Sequence, residues 1–118
     1  MGIVSPVGNT ISDAWDNLLN GKSGITRITR FDASALASQI AGEVKDFDIT
    51  QYMIVKEARR MDIFIHYGMA AAMQAVKDAG IEDVINSKID PDRIGVNIGS
   101  GIGGLPMIEK TDAVYHKK

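Results

Sequence analysis

A strand-like segment that runs directly into a glycine-rich loop is the feature that most constrains this chain. Branched apolar residues take alternate positions in 93–98, which predicts a buried strand. Glycine fills most of 99–104, and Leu105–Tyr115 is predicted to form a helix that tolerates Pro106 in its first turn. Because a strand, a tight turn and a helix in this order are the units of α/β proteins, the sequence predicts the α/β class.

Two helical segments precede this unit. Thr10 and Asp13 have the spacing of a capping box at the start of the first helix, and Gly21 is its predicted stop. The second segment is predicted as one long helix over 51–79 that ends at Gly80. The large apolar residues of this region are expected to pack in a core: Trp15, Met53, Met61, Met69 and Met73.

Strand signals are sparse in the rest of the chain. The segment 2–8 has the pattern of a strand end that turns at Pro6 and Gly8, which predicts further residues upstream. A short strand is predicted over 41–44, and 22–38 is predicted to be irregular. So few strands cannot make an independent sheet, and we therefore do not expect the chain to fold alone.

The composition is that of a globular protein and excludes several classes of function. The chain has 118 residues, of which 45% are hydrophobic and 24% are charged, with a formal net charge of -2. No overall basic field therefore attracts nucleic acid or a membrane surface. The start has no signal-peptide pattern, and no stretch approaches the roughly 20 apolar residues of a membrane span, so the cytoplasm is the expected compartment. The absence of cysteine excludes a disulfide framework, a thiolate metal site and a cysteine nucleophile within these residues.

The glycine-rich loop allows two interpretations. Gly99, Gly101 and Gly104 fit the pattern G-x-G-x-x-G, whose backbone N–H groups cradle a pyrophosphate in dinucleotide-binding proteins. That fingerprint normally lies on the first strand of its unit and has an acidic partner about 20 residues later, beyond the last residue of this sequence. A tight turn between a strand and a helix is the favoured interpretation, and nucleotide binding is the alternative.

A cluster of basic residues is the second candidate site. Lys56, Arg59 and Arg60 would share one face of a helix at positions i, i+3 and i+4. Such a face either docks an acidic partner or is simply solvated, and spacing alone favours the solvated interpretation. His66 and His116 lack the neighbours that a catalytic base or a metal site requires.

Four segments, taken in chain order, resemble the β-ketoacyl-acyl carrier protein synthases, and most closely the synthase II type. They are 2–10, 21–25 followed by Phe31 and Asp32, 56–62, and 93–105. The resemblance implies a thiolase-like fold with α-β-α-β-α layers, in which 1–118 is the N-terminal part of the first of two similar halves. It also implies a homodimer that joins malonyl-acyl carrier protein to an acyl thioester by decarboxylative condensation, without a metal or nucleotide cofactor.

The resemblance also implies roles for particular residues. Lys56, Arg59 and Arg60 match positions that dock the acyl carrier protein, which reverses the interpretation from spacing alone. Ile102 matches a position that lines the acyl pocket, where synthase I proteins have glycine. The family's catalytic cysteine and two histidines lie beyond residue 118, so no catalytic residue is assigned and the chain alone is expected to be inactive. A non-catalytic partner subunit, similar to a chain-length factor, is the alternative.

Overall fold

The computed structural model describes residues 1–82 and 90–117. A small antiparallel sheet lies between helices in chain order, as expected for part of an α/β fold. The elements are α1 (Ile11–Leu19), β1 (Ile25–Arg27), β2 (Ile40–Gly42), α2 (Val55–Ala58), α3 (Ile63–Ala79) and α4 (Leu105–Tyr115), with 3-10 turns at Ile49–Gln51 and Pro91–Arg93.

Helix α1 begins and ends at the predicted residues. The Thr10 hydroxyl accepts a hydrogen bond from the backbone N–H of Asp13 and donates one to its carboxylate, so the predicted cap is confirmed. After the helix, Gly21 has a φ of 64°, a left-handed conformation that favours glycine. The prediction that Trp15 anchors a core is wrong for these residues, because its side chain is 60% exposed.

The sheet is a hairpin of β1 and β2 in antiparallel register, with Ile25 opposite Gly42 and Arg27 opposite Ile40. The strand predicted at 41–44 is confirmed, although it begins one residue earlier and is shorter. The prediction that 22–38 is irregular is wrong at β1. Three residues are too few to show a period in the sequence, and pairing with a distant strand decides the conformation here.

The N-terminal segment packs against α3 without forming a strand of its own. Ser5 and Gly8 form a bridge around Pro6 and Val7, which confirms the predicted turn, but the residues before it are not in a strand. A Cβ on Gly2 would collide with the backbone of α3, so this close approach requires glycine. Gln74 of α3 accepts a hydrogen bond from the backbone N–H of Ile3 and fixes the segment in place.

The single helix predicted over 51–79 is wrong, because the chain breaks it at Asp62. There the backbone is extended, with φ of -77° and ψ of 159°, and the carboxylate accepts a hydrogen bond from the N–H of Ile63. A capping aspartate offers the backbone an alternative to helix, so α2 ends at Ala58 and α3 starts afresh. The predicted stop at Gly80 is confirmed by its φ of 63°.

The strand predicted over 93–98 is also absent from the described residues. The chain passes through a 3-10 turn at Pro91–Arg93 and then runs without regular structure, and Val96 is 83% exposed. A strand exists only through hydrogen bonds to a neighbour, and the described residues offer this segment none. Helix α4 follows as predicted, with Pro106 in its first turn.

Within the part of the chain that the structure describes, the buried apolar residues are all small. They are Ala14, Ala33, Ala58 and Ala70, whereas many large apolar side chains face solvent. Met53 and Met61 are partly buried, but the prediction of core packing is wrong for Met69 and Met73, which are exposed. Since burial contributes about 25 cal/mol per Å² of apolar surface, these residues gain little stability from a core of their own.

A buried carboxylate organises the chain that follows β1. Glu43 accepts hydrogen bonds from the hydroxyl of Thr29 at 2.7 Å and from the backbone N–H groups of Thr29 and Arg30. These bonds favour the charged form, with the Thr29 hydroxyl contributing most, and they lower the pKa of Glu43 below its usual 4.5. The interaction therefore stabilises the fold above that pH and is lost as the pH falls through the lowered pKa.

The isolated chain of 118 residues is expected to show no cooperative thermal transition and to bind a dye specific for exposed apolar surface. The reason is the small buried core described above. Circular dichroism during heating and dye fluorescence measure both properties. A sharp, reversible unfolding transition with little dye binding would contradict this expectation.

Replacing Thr29 by valine is expected to raise the pKa of Glu43 toward its usual value, because the strongest of its hydrogen bonds is lost. NMR titration of the Glu43 side-chain carboxyl carbon in the folded full-length protein measures the pKa. Thr26→Val is the matched control, since the Thr26 hydroxyl lies in the same hairpin without a hydrogen-bond partner among the described residues. An unchanged pKa in Thr29→Val would show that the hydroxyl does not hold the charge.

Candidate functional site

The three basic residues predicted from the sequence lie together at the end of α2, and we call them the basic patch. Lys56 lies in the helix, Arg59 caps its C-terminus and Arg60 follows it. The backbone tightens here, because the N–H of Arg60 donates to the carbonyl of Glu57 at 2.9 Å. The prediction that they share the face of a long helix is therefore corrected to a single helical turn that ends in a tighter one.

The basic patch is open to solvent. All three side chains are exposed. The ion pairs within the described part of the chain join the N-terminal amino group to Asp78 and His116 to Asp112, and neither involves the patch. The segment 56–60 carries three cations and the exposed carboxylate of Glu57, a net charge of +2 (3 − 1), and therefore presents a local positive field to an approaching molecule, despite the net negative charge of the whole chain.

The loop 99–104 displays Ile102 at its tip. The hydroxyl of Ser100 accepts a hydrogen bond from the N–H of Gly103 at 3.0 Å, which closes a tight turn around Gly101 and Ile102. Gly103 has a φ of 78°, which a residue with a Cβ adopts only under strain. Ile102 is 75% exposed as a result.

An apolar groove lies between this loop and α3. Its volume is about 390 Å³, and it is lined by Phe64, Ile65, Gly68, Met69, Ile98, Gly99 and Ser100. Ile102, the predicted pocket residue, lies two positions after Ser100 and is not among the residues that line the groove. A volume of this size lies at the lower end of the roughly 300–1,000 Å³ that is typical of small-molecule pockets. The groove suits an apolar ligand, because most of its walls are hydrocarbon.

Asp62 follows the basic patch in sequence and contacts Gly104 at the end of the loop. The sequence pattern did not predict a role for it. Its carboxylate accepts hydrogen bonds from the N–H of Ile63 at the start of α3 and from the N–H of Met107 at the start of α4. An aspartate directly before an apolar helical run is a known start signal, so the first contact could have been found from the sequence. The second joins residues 45 positions apart and had no local signal.

The two histidines have structural partners. The ring Nε2 of His66 lies 2.9 Å from the carbonyl oxygen of Ala58, which ties α3 to the end of α2. His116 lies 3.3 Å from the carboxylate of Asp112 on the exposed surface of α4. Within 1–82 and 90–117, no cluster of metal-ligating side chains occurs, and no helix is long and apolar enough to cross a membrane.

A sequence profile described as "Beta-ketoacyl synthase, N-terminal domain" matches residues 1–118. The chain belongs to the β-ketoacyl synthase N-terminal domain family. This confirms the family predicted from the four segments of resemblance.

Individual relatives of this β-ketoacyl synthase segment agree with that assignment. The 3-oxoacyl-[acyl-carrier-protein] synthase 2 of Vibrio harveyi is 53% identical over 109 residues, which cover 92% of this chain and 26% of that protein. The synthase 2 of Synechocystis sp. is 49% identical over 118 residues, which cover 100% of this chain and 28% of that protein. The chain thus spans little more than a quarter of the length of these relatives.

A solved structure confirms the predicted fold class. The ishigamide ketosynthase/chain length factor superposes with a TM-score of 0.67 at 25% sequence identity, covering 98% of this chain and 28% of that one. The β-ketoacyl synthase segment therefore has part of the thiolase-like α/β fold.

Proposed function

We propose that residues 1–118 form the N-terminal part of the first thiolase-like half of a condensing enzyme of fatty-acid synthesis. The enzyme would join malonyl-acyl carrier protein to an acyl chain by decarboxylative condensation. The family match over the whole chain carries this proposal, and the relatives named as 3-oxoacyl-[acyl-carrier-protein] synthase 2 support it.

The chemistry of such an enzyme requires groups from beyond this segment. A cysteine thiolate takes the acyl group as a thioester, malonate loses carbon dioxide, and the resulting enolate attacks the thioester carbonyl and releases the thiolate. Histidines stabilise the developing enolate. This segment has no cysteine, and the ring of His66 is already engaged with the backbone of Ala58. We therefore assign the segment to recognition and not to bond formation.

The basic patch would dock the acyl carrier protein. Its three cations are exposed, close in sequence and outside the ion pairs of the described residues. An acidic partner helix would be attracted and oriented by this field over about 8–10 Å at physiological salt. Such pairing speeds encounter and fixes the orientation of the partner.

The loop 99–104 and the adjoining groove would form part of the acyl pocket. The groove is apolar and lies beside the loop that carries Ile102. A branched side chain at this position would limit how a long acyl chain enters, and Ile102 favours a synthase II over a synthase I on the pattern of the family. The apolar surface left open here and on α1 would be covered by the rest of the protein, which we propose is a cytoplasmic homodimer.

A non-catalytic partner subunit is the second candidate function. The solved structure that matches this chain is named as both a ketosynthase and a chain length factor. A subunit of the second kind would keep the fold without the active cysteine. The residue at the nucleophile position of the full-length protein decides between the two functions.

The full-length protein is expected to release carbon dioxide and form a 3-oxoacyl-carrier product in equal amounts when given acyl-carrier and malonyl-carrier proteins. Scintillation counting of labelled carbon dioxide and mass spectrometry of the carrier measure the two products. Alkylation of cysteine with iodoacetamide is the control and should abolish the 3-oxoacyl product, because the acyl group can no longer be carried as a thioester, whereas the 118-residue chain alone should form neither product. A folded full-length protein that acts only after a catalytic partner is added would instead support the second candidate.

Reversing the charge of the basic patch with Lys56→Glu, Arg59→Glu and Arg60→Glu is expected to weaken carrier binding by about tenfold or more at low salt, because attraction becomes repulsion. Surface plasmon resonance with the full-length protein measures the affinity.

The matched control makes the same change of charge at three other exposed residues: Lys22, Lys45 and Lys77. The difference between the two triple variants should shrink as salt is added. Equal affinities at low salt would rule out the docking role and leave the family assignment intact.

A further inference from the structure

Asp62 caps two helices with one carboxylate. Its Oδ1 accepts a hydrogen bond at 2.6 Å from the N–H of Ile63, the first residue of α3. Its Oδ2 accepts one at 3.0 Å from the N–H of Met107, the third residue of α4. The residue that precedes α4 is Gly104, which has no side-chain oxygen to cap that helix. Asp62 therefore supplies from a distant part of the chain the capping oxygen that α4 lacks.

Because Gly104 has no Cβ, the Asp62 carboxylate can approach its backbone closely. A Cβ built on Gly104 would lie 3.0 Å from the Cγ of Asp62 and still closer to Oδ2, nearer than such atoms approach without displacement. The backbone φ of Gly104 is -94°, so no left-handed conformation demands glycine here. With Asp62 in this position, a side chain at residue 104 would displace the carboxylate from its place at the start of α4.

The contact fixes the loop that displays Ile102. The Ser100 hydroxyl accepts a hydrogen bond from the N–H of Gly103, which closes the turn that contains Ile102. The next residue, Gly104, lies against the side chain of Asp62. The Ile102 side chain is itself 75% exposed, so few packing contacts hold it. Its direction therefore depends on the backbone of its neighbours, and the position of that backbone depends on Asp62.

We propose that Asp62 is a positioning residue that sets acyl-chain selectivity by holding Ile102 at the pocket. The inference rests on the proposed function, because it takes Ile102 as part of the acyl pocket. It adds a residue about 40 positions away in sequence, whose carboxylate is occupied by two backbone N–H groups.

The test measures kcat/KM of the full-length protein for a long and a short saturated acyl-carrier substrate. Ile102→Gly is the benchmark and should change the ratio of the two values. Asp62→Ala and Gly104→Ala should each change the ratio by about tenfold in the same direction, the size expected for loss of one charge-assisted hydrogen bond. Asp62→Asn keeps one accepting oxygen and should give a smaller change.

A double-mutant cycle separates positioning from general loss of stability. In Asp62→Ala/Gly104→Ala the clash with the carboxylate is gone, so the double variant should change the ratio no more than either single variant. Asp48→Ala is the matched control, because Asp48 caps the 3-10 turn at Ile49–Gln51 and should leave the ratio unchanged. Should Asp62→Ala fail to fold, Gly104→Ala and Asp62→Asn carry the same comparison.

The outcomes distinguish the inference from the function on which it rests. A shift in Ile102→Gly with unchanged ratios in the Asp62 and Gly104 variants would overturn the inference alone. Strictly additive effects in the double variant would also overturn it. An active enzyme whose ratio is unchanged in Ile102→Gly would remove both the pocket role of Ile102 and the inference. Absence of condensation in the folded unmodified protein would overturn the proposed function itself.

Discussion

Burial of apolar surface is the interaction that the rest of this structure depends on, and the described residues achieve little of it among themselves. Their buried apolar side chains are four alanines, while Trp15 and Val96 lie open. A layered fold stabilises each sheet by covering its faces with helices. Helix α1 and the segment 93–98 expose apolar side chains that no other element among the described residues covers. This exposed apolar surface is consistent with the coverage of the relatives, because the chain spans little more than a quarter of their length.

Polar side chains hold the position of the segments where apolar packing is thin. Gln74 accepts from the N–H of Ile3 and donates to the carbonyl of Asn9 and to the hydroxyl of Tyr52, which joins three separated segments to α3. Glu43 orders the chain after β1, and Asp62 joins the starts of α3 and α4. Hydrogen bonds are directional, so they fix local geometry more sharply than the apolar surface beside them. The candidate site inherits its geometry from such contacts.

The sequence predicted those features that local signals determine. The cap at Thr10, the left-handed glycines after α1 and α3, and helix α4 were all predicted correctly because neighbouring residues fix them. The predictions failed where distant partners decide: β1 forms by pairing with β2, and 93–98 lacks a strand neighbour among the described residues. The break at Asp62 had a local signal, an aspartate directly before an apolar helical run. The prediction missed it because the apolar spacing of a helix continues on both sides of Asp62. Lys56, Arg59, Arg60 and Ile102 were selected through family resemblance, and their chemical roles stay predictions.

The position of Asp62 bears on how recognition and chemistry would be divided in the whole enzyme. The basic patch ends at Arg60, two residues before the carboxylate that anchors the loop of Ile102. Under the proposed roles, a carrier held at the patch would lie at the same junction as the side chain proposed to line the acyl pocket. The ring of His66 strengthens this junction through the carbonyl of Ala58. A nucleophile supplied from elsewhere would then react only with chains that this junction has already oriented, so selectivity would be imposed before the bond-forming step.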